Sequence, residues 1–449
     1  VWLLGRGEKR TELVFMADRE TQTPDIVPPH TLVVVPYGRF CNATKFAGEV
    51  DVFEALAHAQ KHYPIVSQRI VIAGFSMGGA STWHLAAHYP GHWAAAHAGA
   101  GFAETAEYAR VFAAGKEPPP WWEQVLWRWT DVTVYAANLS NLPVIAYSGE
   151  DDKQKQAADI MLRFAEKEGV KFEHIIGPKM GHKYDAGSKQ LTTEKPTAFV
   201  DRAPAPPHSI RFTTYTLRYP ECDWLRIEGL EKHWERADVS ARRRGGNAMD
   251  IETKNVTSLH IRLPGVQLVT IDRQPFTFGD PVDANGFILS RRNGKWIASP
   301  LPDLLGKRPG LQGPIDDAFL DAFLFVRPTG KPLNAQVGAW VQSELALAGK
   351  QWRAIYRGDA PIKDDSALRP EDYRDRNLVL WGDPSSNKVL AQILAKLPLK
   401  WDAKTLEFGT YRLDAAHYAP ILIFPNPLNP KRYVVLNSGF TFREYDYLN

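Results

Sequence analysis

An α/β fold on a mostly parallel sheet is the expectation for the first 190 or so residues of this 449-residue chain. Three observations carry it. Short apolar runs alternate with stretches whose apolar residues recur at helical spacing. The runs are continuously apolar rather than alternating, as strands covered on both faces are. They also end on glycine or other turn residues, where a chain leaves a sheet.

In order, Val1–Leu4 is an apolar run ending in Gly5-Arg6-Gly7, and Thr11–Arg19 has helical spacing. Thr31–Val35 is β-branched and apolar, ending at Pro36-Tyr37-Gly38, and reads as a strand. Val50–His62 is a helix, Arg69–Phe75 a strand and Gly78–His88 a helix. Trp93–His97 and Leu142–Tyr147 are strands, Lys153–Glu168 a helix, and Phe172–Ile176 the last strand. Because the chain opens inside an apolar run, upstream sequence is expected, and the compartment is not legible; export is compatible with a missing leader.

A proline-rich polar stretch, residues 196–208, reads as a linker closing a domain of residues 1–195. Residues 209–300 follow as a β-rich module with strands at Ile210–Leu217, Trp224–Glu228, Ser258–Leu263, Gln267–Ile271 and Gly286–Ser290, expected to be antiparallel. The run Ala241-Arg242-Arg243-Arg244-Gly245 reads as a solvated loop. From 301 to 449 the alternation returns as a smaller α/β region. Its Trp381–Asn387 segment follows a strand and opens a helix. It lacks the Gly-Lys-Ser/Thr of a phosphate loop and reads as a turn with an N-cap.

A net charge of +3, 44% hydrophobic and 23% charged residues fit a globular protein with no nucleic-acid footprint. Two cysteines, Cys41 and Cys222, form no disulfide framework. No apolar stretch reaches the roughly 20 residues of a membrane span. No metal-ligand spacing stands out, and no cofactor is expected.

The chemistry concentrates at Arg69-Ile70-Val71-Ile72-Ala73-Gly74-Phe75-Ser76-Met77-Gly78-Gly79, a strand, then Gly-x-Ser-x-Gly, then a helix. Such a turn projects a serine hydroxyl at a helix N-terminus, where backbone N–H groups face developing negative charge. A hydroxyl needs a base, and the base an orienting acid. Both belong on loops after later strands. Ser148-Gly149-Glu150-Asp151-Asp152 follows one strand and offers Asp152 as the acid, with Asp151 as the alternative. Met180-Gly181-His182 follows the last and offers His182 as the base. His174 is inside a strand and reads as structural, while His84, His88 and His92 read as packing or surface residues. An oxyanion hole needs two donors. Met77 N–H is one, and Arg6 N–H, with Gly7 as alternative, is the other. Tyr37, Arg39 and Phe40 follow a strand at its carboxyl end. Trp121 and Trp122 lie in an aromatic insertion, residues 103–138. All five are candidates to line a substrate pocket, with a packed cap as the alternative for the insertion.

Taken together, the Gly-Arg-Gly loop, Gly74-Phe75-Ser76-Met77-Gly78-Gly79, Ser148–Asp152 and Met180–His182 resemble the catalytic domain of prolyl oligopeptidase-like (S9) and esterase-type α/β-hydrolases. The resemblance covers residues 1 to about 190. It implies a serine hydrolase acting through an acyl-enzyme on a peptide or a carboxylic ester, acylated sugars and aryl esters included. It departs at Leu4, where such domains often carry His before the oxyanion glycine. The alternatives are a binding protein on a degenerate hydrolase domain, and an active enzyme whose C-terminal half binds carbohydrate or protein.

Overall fold

The structure, a computed structural model, describes residues 1–7, 10–22, 26–39, 41–200, 206–280, 282–300 and 305–441. The chain divides into two compact units, residues 1–45 with 51–309, and residues 46–50 with those from 310 onward.

Five parallel strands of the first unit lie side by side in chain order: β1 (Trp2–Leu3), β2 (Val71–Phe75), β3 (Ala95–Gly99), β4 (Val144–Gly149) and β5 (Glu173–Gly177). Among the described residues, helices α1 (Glu12–Thr21), α2 (Ala47–His62), α3 (Met77–His88), α4 (Trp121–Leu126), α5 (Lys155–Lys167) and α6 (Ala186–Ala198) accompany them. Every residue of β3 and β4 is buried. That is why their sequences are apolar without alternation. Thr31–Val35, expected as a strand, is extended chain outside the sheet. Trp2 N–H donates to Val34 C=O at 2.9 Å. Pro28, Pro29 and Pro36 bring no N–H that could extend this bond into a ladder. α6 runs to Ala198 and takes in Pro196, which was expected in the linker. Pro196 is buried there near the helix end, and few later residues depend on the hydrogen bond it lacks.

Residues 209–297 form a sandwich of two five-stranded sheets. Their strands are β6 (Ser209–Thr214), β7 (Glu221–Cys222), β8 (Leu225–Leu230), β9 (Ala237–Arg244), β10 (Ala248–Lys254), β11 (Val256–Ile261), β12 (Leu268–Ile271), β13 (Gln274–Thr277), β14 (Phe287–Arg292) and β15 (Lys295–Ile297). One sheet runs β13-β12-β10-β9-β6 and the other β15-β14-β11-β8-β7. Phe212, Trp224, Met249, Leu259 and Trp296 are among the side chains filling the space between them. The pairing is antiparallel except for β10 with β12, which is parallel. Between those two strands the chain crosses to the other sheet as β11, so it re-enters in the same direction.

The arginine run expected as a loop is the end of β9. Arg242, Arg243 and Arg244 pair with Asp250, Met249 and Ala248 across a turn holding Gly245 and Gly246 at positive φ. On β9 the inward positions are Ala237, Val239 and Ala241, each at most 1% exposed.

In the second unit, β16 (Phe323–Arg327), β17 (Ile362–Asp364), β18 (Asn377–Leu380), β22 (Leu422–Asn426) and β23 (Asn429–Leu436) form a sheet in the order β17-β16-β18-β23-β22. Only β22 is antiparallel to its neighbour. A small sheet, β19 (Lys400–Trp401), β20 (Thr405–Phe408) and β21 (Tyr411–Asp414), and helices α7 (Ala335–Tyr356), α8 (Pro370–Asp375) and α9 (Lys388–Ile393) complete it. The Trp381–Asn387 segment is a closed turn. The Asp383 carboxylate accepts from the Ser385 and Ser386 N–H groups, and Asn387 caps α9. Among the described residues, no helix is long and apolar enough to cross a membrane.

Candidate active site

Ser76 lies between β2 and α3 with φ 61° and ψ −123°. A side chain rarely tolerates that region, and the cost is on the order of 1–3 kcal/mol. The surrounding backbone enforces it. Ser76 N–H donates to Gly99 C=O at 2.8 Å, and Ser76 C=O accepts from Gly79 and Ala80 N–H. The elbow closes only because two neighbours are glycine. A Cβ at Gly74 would lie 2.3 Å from Gly78 O, and one at Gly78 would lie 2.0 Å from Leu3 O.

The other two groups arrive from the carboxyl ends of β4 and β5. Ser76 O–H donates to His182 Nε2 at 2.8 Å, and His182 Nδ1–H donates to Asp152 Oδ2 at 2.8 Å. A carboxylate only accepts, so this bond assigns the proton to Nδ1 and leaves Nε2 as the acceptor. The Asp152 side chain is 3% exposed and that of His182 42%. The buried acid thus fixes a ring that remains open to an incoming molecule. Asp152 also turns the chain into α5, its Oδ1 accepting from Gln154 N–H at 2.9 Å. Its N-cap-like and His-orienting roles therefore coexist on two oxygens. Asp151 is exposed, and its backbone N–H donates to Met180 C=O instead.

Of the expected oxyanion donors, Met77 is the first residue of α3, where helix geometry leaves N–H groups without intrahelical acceptors. The loop after β1 approaches from the opposite side. Around Gly5, Phe75 O and Ser76 Cβ lie within 3.6 Å of where a Cβ would sit. Arg6 is exposed on that loop.

The candidate pocket residues divide. Tyr37 Oη donates to Arg10 C=O at 2.8 Å and its ring packs on Phe15, so it braces the loop that follows β1. Arg39 Nε donates to both oxygens of Asp51 at 2.8 Å. Tyr37 Oη and Arg39 Nε are therefore both engaged within the chain. Trp121 and Trp122 at the start of α4 are 75% and 51% exposed. Phe40 lies outside the described residues. A cleft of about 750 Å³ lined by Trp2, Pro28, Leu32, Val66, Ile70 and Pro196 contains none of Ser76, His182 and Asp152.

Residues that the sequence did not single out support the site from below. His97 on β3 is 1% exposed. Its Nδ1 pairs with Ile145 C=O at 3.0 Å and its Nε2 with Tyr184 Oη at 2.7 Å. Burial lowers the His97 pKa to about 4 against the effect of its backbone partner, so the ring is neutral near pH 7. Tyr147 Oη donates to Lys183 C=O at 2.8 Å. The Phe75 ring packs against both His182 and Tyr184, at 4.9 and 4.7 Å between centroids. The only sequence signal was position: Tyr184 is two residues past His182, and His97 ends an expected strand. His84 and His88 are buried, and His174 Nε2 lies 3.1 Å from Ser148 Oγ. Cys222 is a free, buried cysteine. Among the described residues, no group of three or more His, Cys, Asp or Glu could hold a metal.

A parallel sheet with a Ser elbow after β2, an acid after β4 and a His after β5 defines an α/β-hydrolase. Residues 43–204 match the model of peptidase S9, the prolyl oligopeptidase family. That stretch of the chain is thus similar to the family. No curated protein matches the chain. Partial likenesses occur among solved structures. The acylaminoacyl peptidase of Pyrococcus horikoshii is 19% identical over 34% of this chain and 26% of its own, with a TM-score of 0.27. Dipeptidyl peptidase 4 of Porphyromonas gingivalis is 21% identical over 34% and 23%, with a TM-score of 0.28. The fluorophosphonate-binding serine hydrolase FphF of Staphylococcus aureus is 16% identical over 45% and 82%, with a TM-score of 0.31. The chain spans about a quarter of the length of the two peptidases.

Proposed function

We propose that this protein is a serine hydrolase that transfers an acyl group from a peptide or carboxylic ester to water. The observation that carries the reading is the continuous hydrogen-bonded chain from Ser76 Oγ through His182 to Asp152, with Ser76 on a strained elbow. In the forward step His182 Nε2 takes the Ser76 proton while Oγ attacks the carbonyl carbon. Asp152 holds the ring in the required tautomer and stabilises the imidazolium that forms. The tetrahedral oxyanion faces Met77 N–H and Arg6 N–H, with Gly7 N–H as the alternative second donor. His182 then gives its proton to the leaving amine or alcohol, and water repeats the sequence to release the acid. The match to the prolyl oligopeptidase family supports a peptide as substrate. The exposed rings of Trp121 and Trp122 suit an aryl or acyl group as well.

Labelling with a fluorophosphonate tests the chemistry. A single adduct at Ser76, abolished in Ser76→Ala, is expected. A Ser76→Ala variant hydrolysing p-nitrophenyl esters at the wild-type rate would falsify the mechanism. Proline-containing peptides compared with acylated sugars and p-nitrophenyl esters then separate the two bond types.

A further inference from the structure

The loop carrying His182 is held from beneath by buried His97 and half-buried Tyr184, neither of them a reacting group. We infer that Tyr184 and His97 are positioning residues for the reaction, together fixing the His182 loop at the register in which Nε2 meets Ser76 Oγ. The inference rests on the serine-hydrolase reading above and deepens it.

Between β5 and α6 the chain spans Pro178–Asp185, much of it exposed, with backbone that no sheet ladder organises. A free loop of that kind samples positions differing by more than the fraction of an ångström that a reacting base tolerates. Four successive residues are tied instead. His182 bonds Ser76 and Asp152, and Lys183 C=O accepts from Tyr147 Oη. Tyr184 Oη bonds His97, and the Asp185 carboxylate caps α6 through Ser188 N–H. The first pair of bonds involves the base itself, which leaves them when His182 moves its proton. The Tyr184 bond does not change during the reaction.

Its direction follows from chemistry. Ile145 C=O only accepts, so His97 Nδ1 carries the proton and Nε2 accepts from the Tyr184 hydroxyl. The His97 ring and the Tyr184 hydroxyl lie among the strands, although Tyr184 as a whole is half-buried. His97 is 1% exposed among the strands, and a Cβ at Gly99 would lie 2.3 Å from Tyr184 Oη. A tyrosine hydroxyl in such a place has one position, and its ring transmits that position. The ring lies 4.4 Å from Tyr147 and 4.7 Å from Phe75, and Phe75 in turn packs on the His182 ring. Strand β3 thereby sets the height of the base above the sheet.

The test uses the full chain with Tyr184→Phe, His97→Ala and the double variant, assayed on a p-nitrophenyl ester and by the rate of fluorophosphonate labelling. Tyr184→Phe keeps the ring and deletes one bond. It is expected to lower kcat and the labelling rate by on the order of tenfold while KM stays within about twofold. The double variant is expected to lose no more than His97→Ala alone, because both changes remove the same bond. An unchanged kcat in Tyr184→Phe, a loss confined to KM, or losses that multiply in the double variant overturn the inference. Melting temperature is measured in parallel, and a fall in kcat that vanishes on assay well below each variant's melting point also overturns it. Ser76→Ala stands beside these variants. If it retains hydrolysis, the reading of the site itself fails, which is a distinct result from a silent Tyr184→Phe.

Discussion

At the scale of single residues the two aspartates after β4 are separated by direction rather than by chemistry. Asp151 and Asp152 are adjacent and identical in type, and either suited a base on the last loop. Asp152 is buried with one oxygen on His182, while Asp151 is exposed. Replacing Asp152 by Asn presents an N–H or a weakened acceptor to Nδ1 and favours the wrong tautomer. The expected result is a loss in kcat of roughly 10⁴-fold with little change in KM. Asp151→Asn is expected to stay within about twofold of wild type. Steady-state kinetics of the two variants on one ester decides the assignment, and a larger loss in Asp151→Asn reverses it. Sequence alone narrowed the acid to neighbours, because chain order and strand ends are one-dimensional facts. The bond that selects between them depends on the turn into α5.

Among elements, the parts legible in advance are those whose signals are local. The β2 elbow needs two glycines within five residues, and both are printed in the chain as Gly74 and Gly78. The support beneath His182 was not legible, since it joins β3, β4 and a loop through side chains distant in sequence. β9 was missed for another reason. Two of its three inward residues are alanine, so the alternation of a half-buried strand is faint in composition, and the outward arginines dominate the eye. The aromatic insertion after β3 carries a further consequence. Its two ends are tied where Asp131 Oδ1 accepts from Thr105 N–H and Oγ1–H at 3.0 and 2.7 Å, and Val132 N–H donates to Ala103 C=O. Burial raises the Asp131 pKa to about 7, with the Thr105 bonds and Lys45 offsetting only part of the effect. The folded state then keeps a proton that the unfolded chain has released above about pH 4. Stability from this group is complete below that pH and is lost as pH rises through about 7. Asp131→Asn keeps an acceptor for Thr105 without the charge. It is expected to gain on wild type by on the order of 1–3 kcal/mol between pH 5 and pH 8.5, read from denaturant midpoints. An offset that is the same at both pH values removes the assignment.

For the molecule as a whole, the β sandwich belongs to the same compact unit as the five-stranded parallel sheet. Helix α3 is buried from Gly78 to His88, far more than one sheet face requires, because its outer side is covered too. His88 packs on Tyr135 and Tyr219 at 4.2 and 4.1 Å between ring centroids. The sharpest contact is at β6, the edge strand of its sheet. Asn138 Oδ1 accepts from Thr213 N–H, and its Nδ2 donates to Thr213 C=O and to Ala87 C=O of α3. Three residues on, the Asn141 amide makes the same two-way contact with Arg211. Two asparagines on one face of the helical turn Thr133–Asn141 thus stand in for the next strand and close an edge that would otherwise pair with another chain. Glu168, with Arg211 and Arg236 against it, has its carboxyl held below the usual range, chiefly by its hydrogen bond to Arg236. None of this is visible from the sequence, where the proline-rich stretch reads as a boundary between independent modules. Asn138→Ala leaves two backbone groups of β6 and one of α3 buried without partners, at about 1–3 kcal/mol for each that water cannot reach. A single unfolding transition at lower denaturant, reported alike by hydrolase activity and by sandwich tryptophan fluorescence, is the expected outcome. Two separate transitions, with activity surviving the loss of the sandwich signal, would mean that the β module is an appendage rather than part of the enzyme's core.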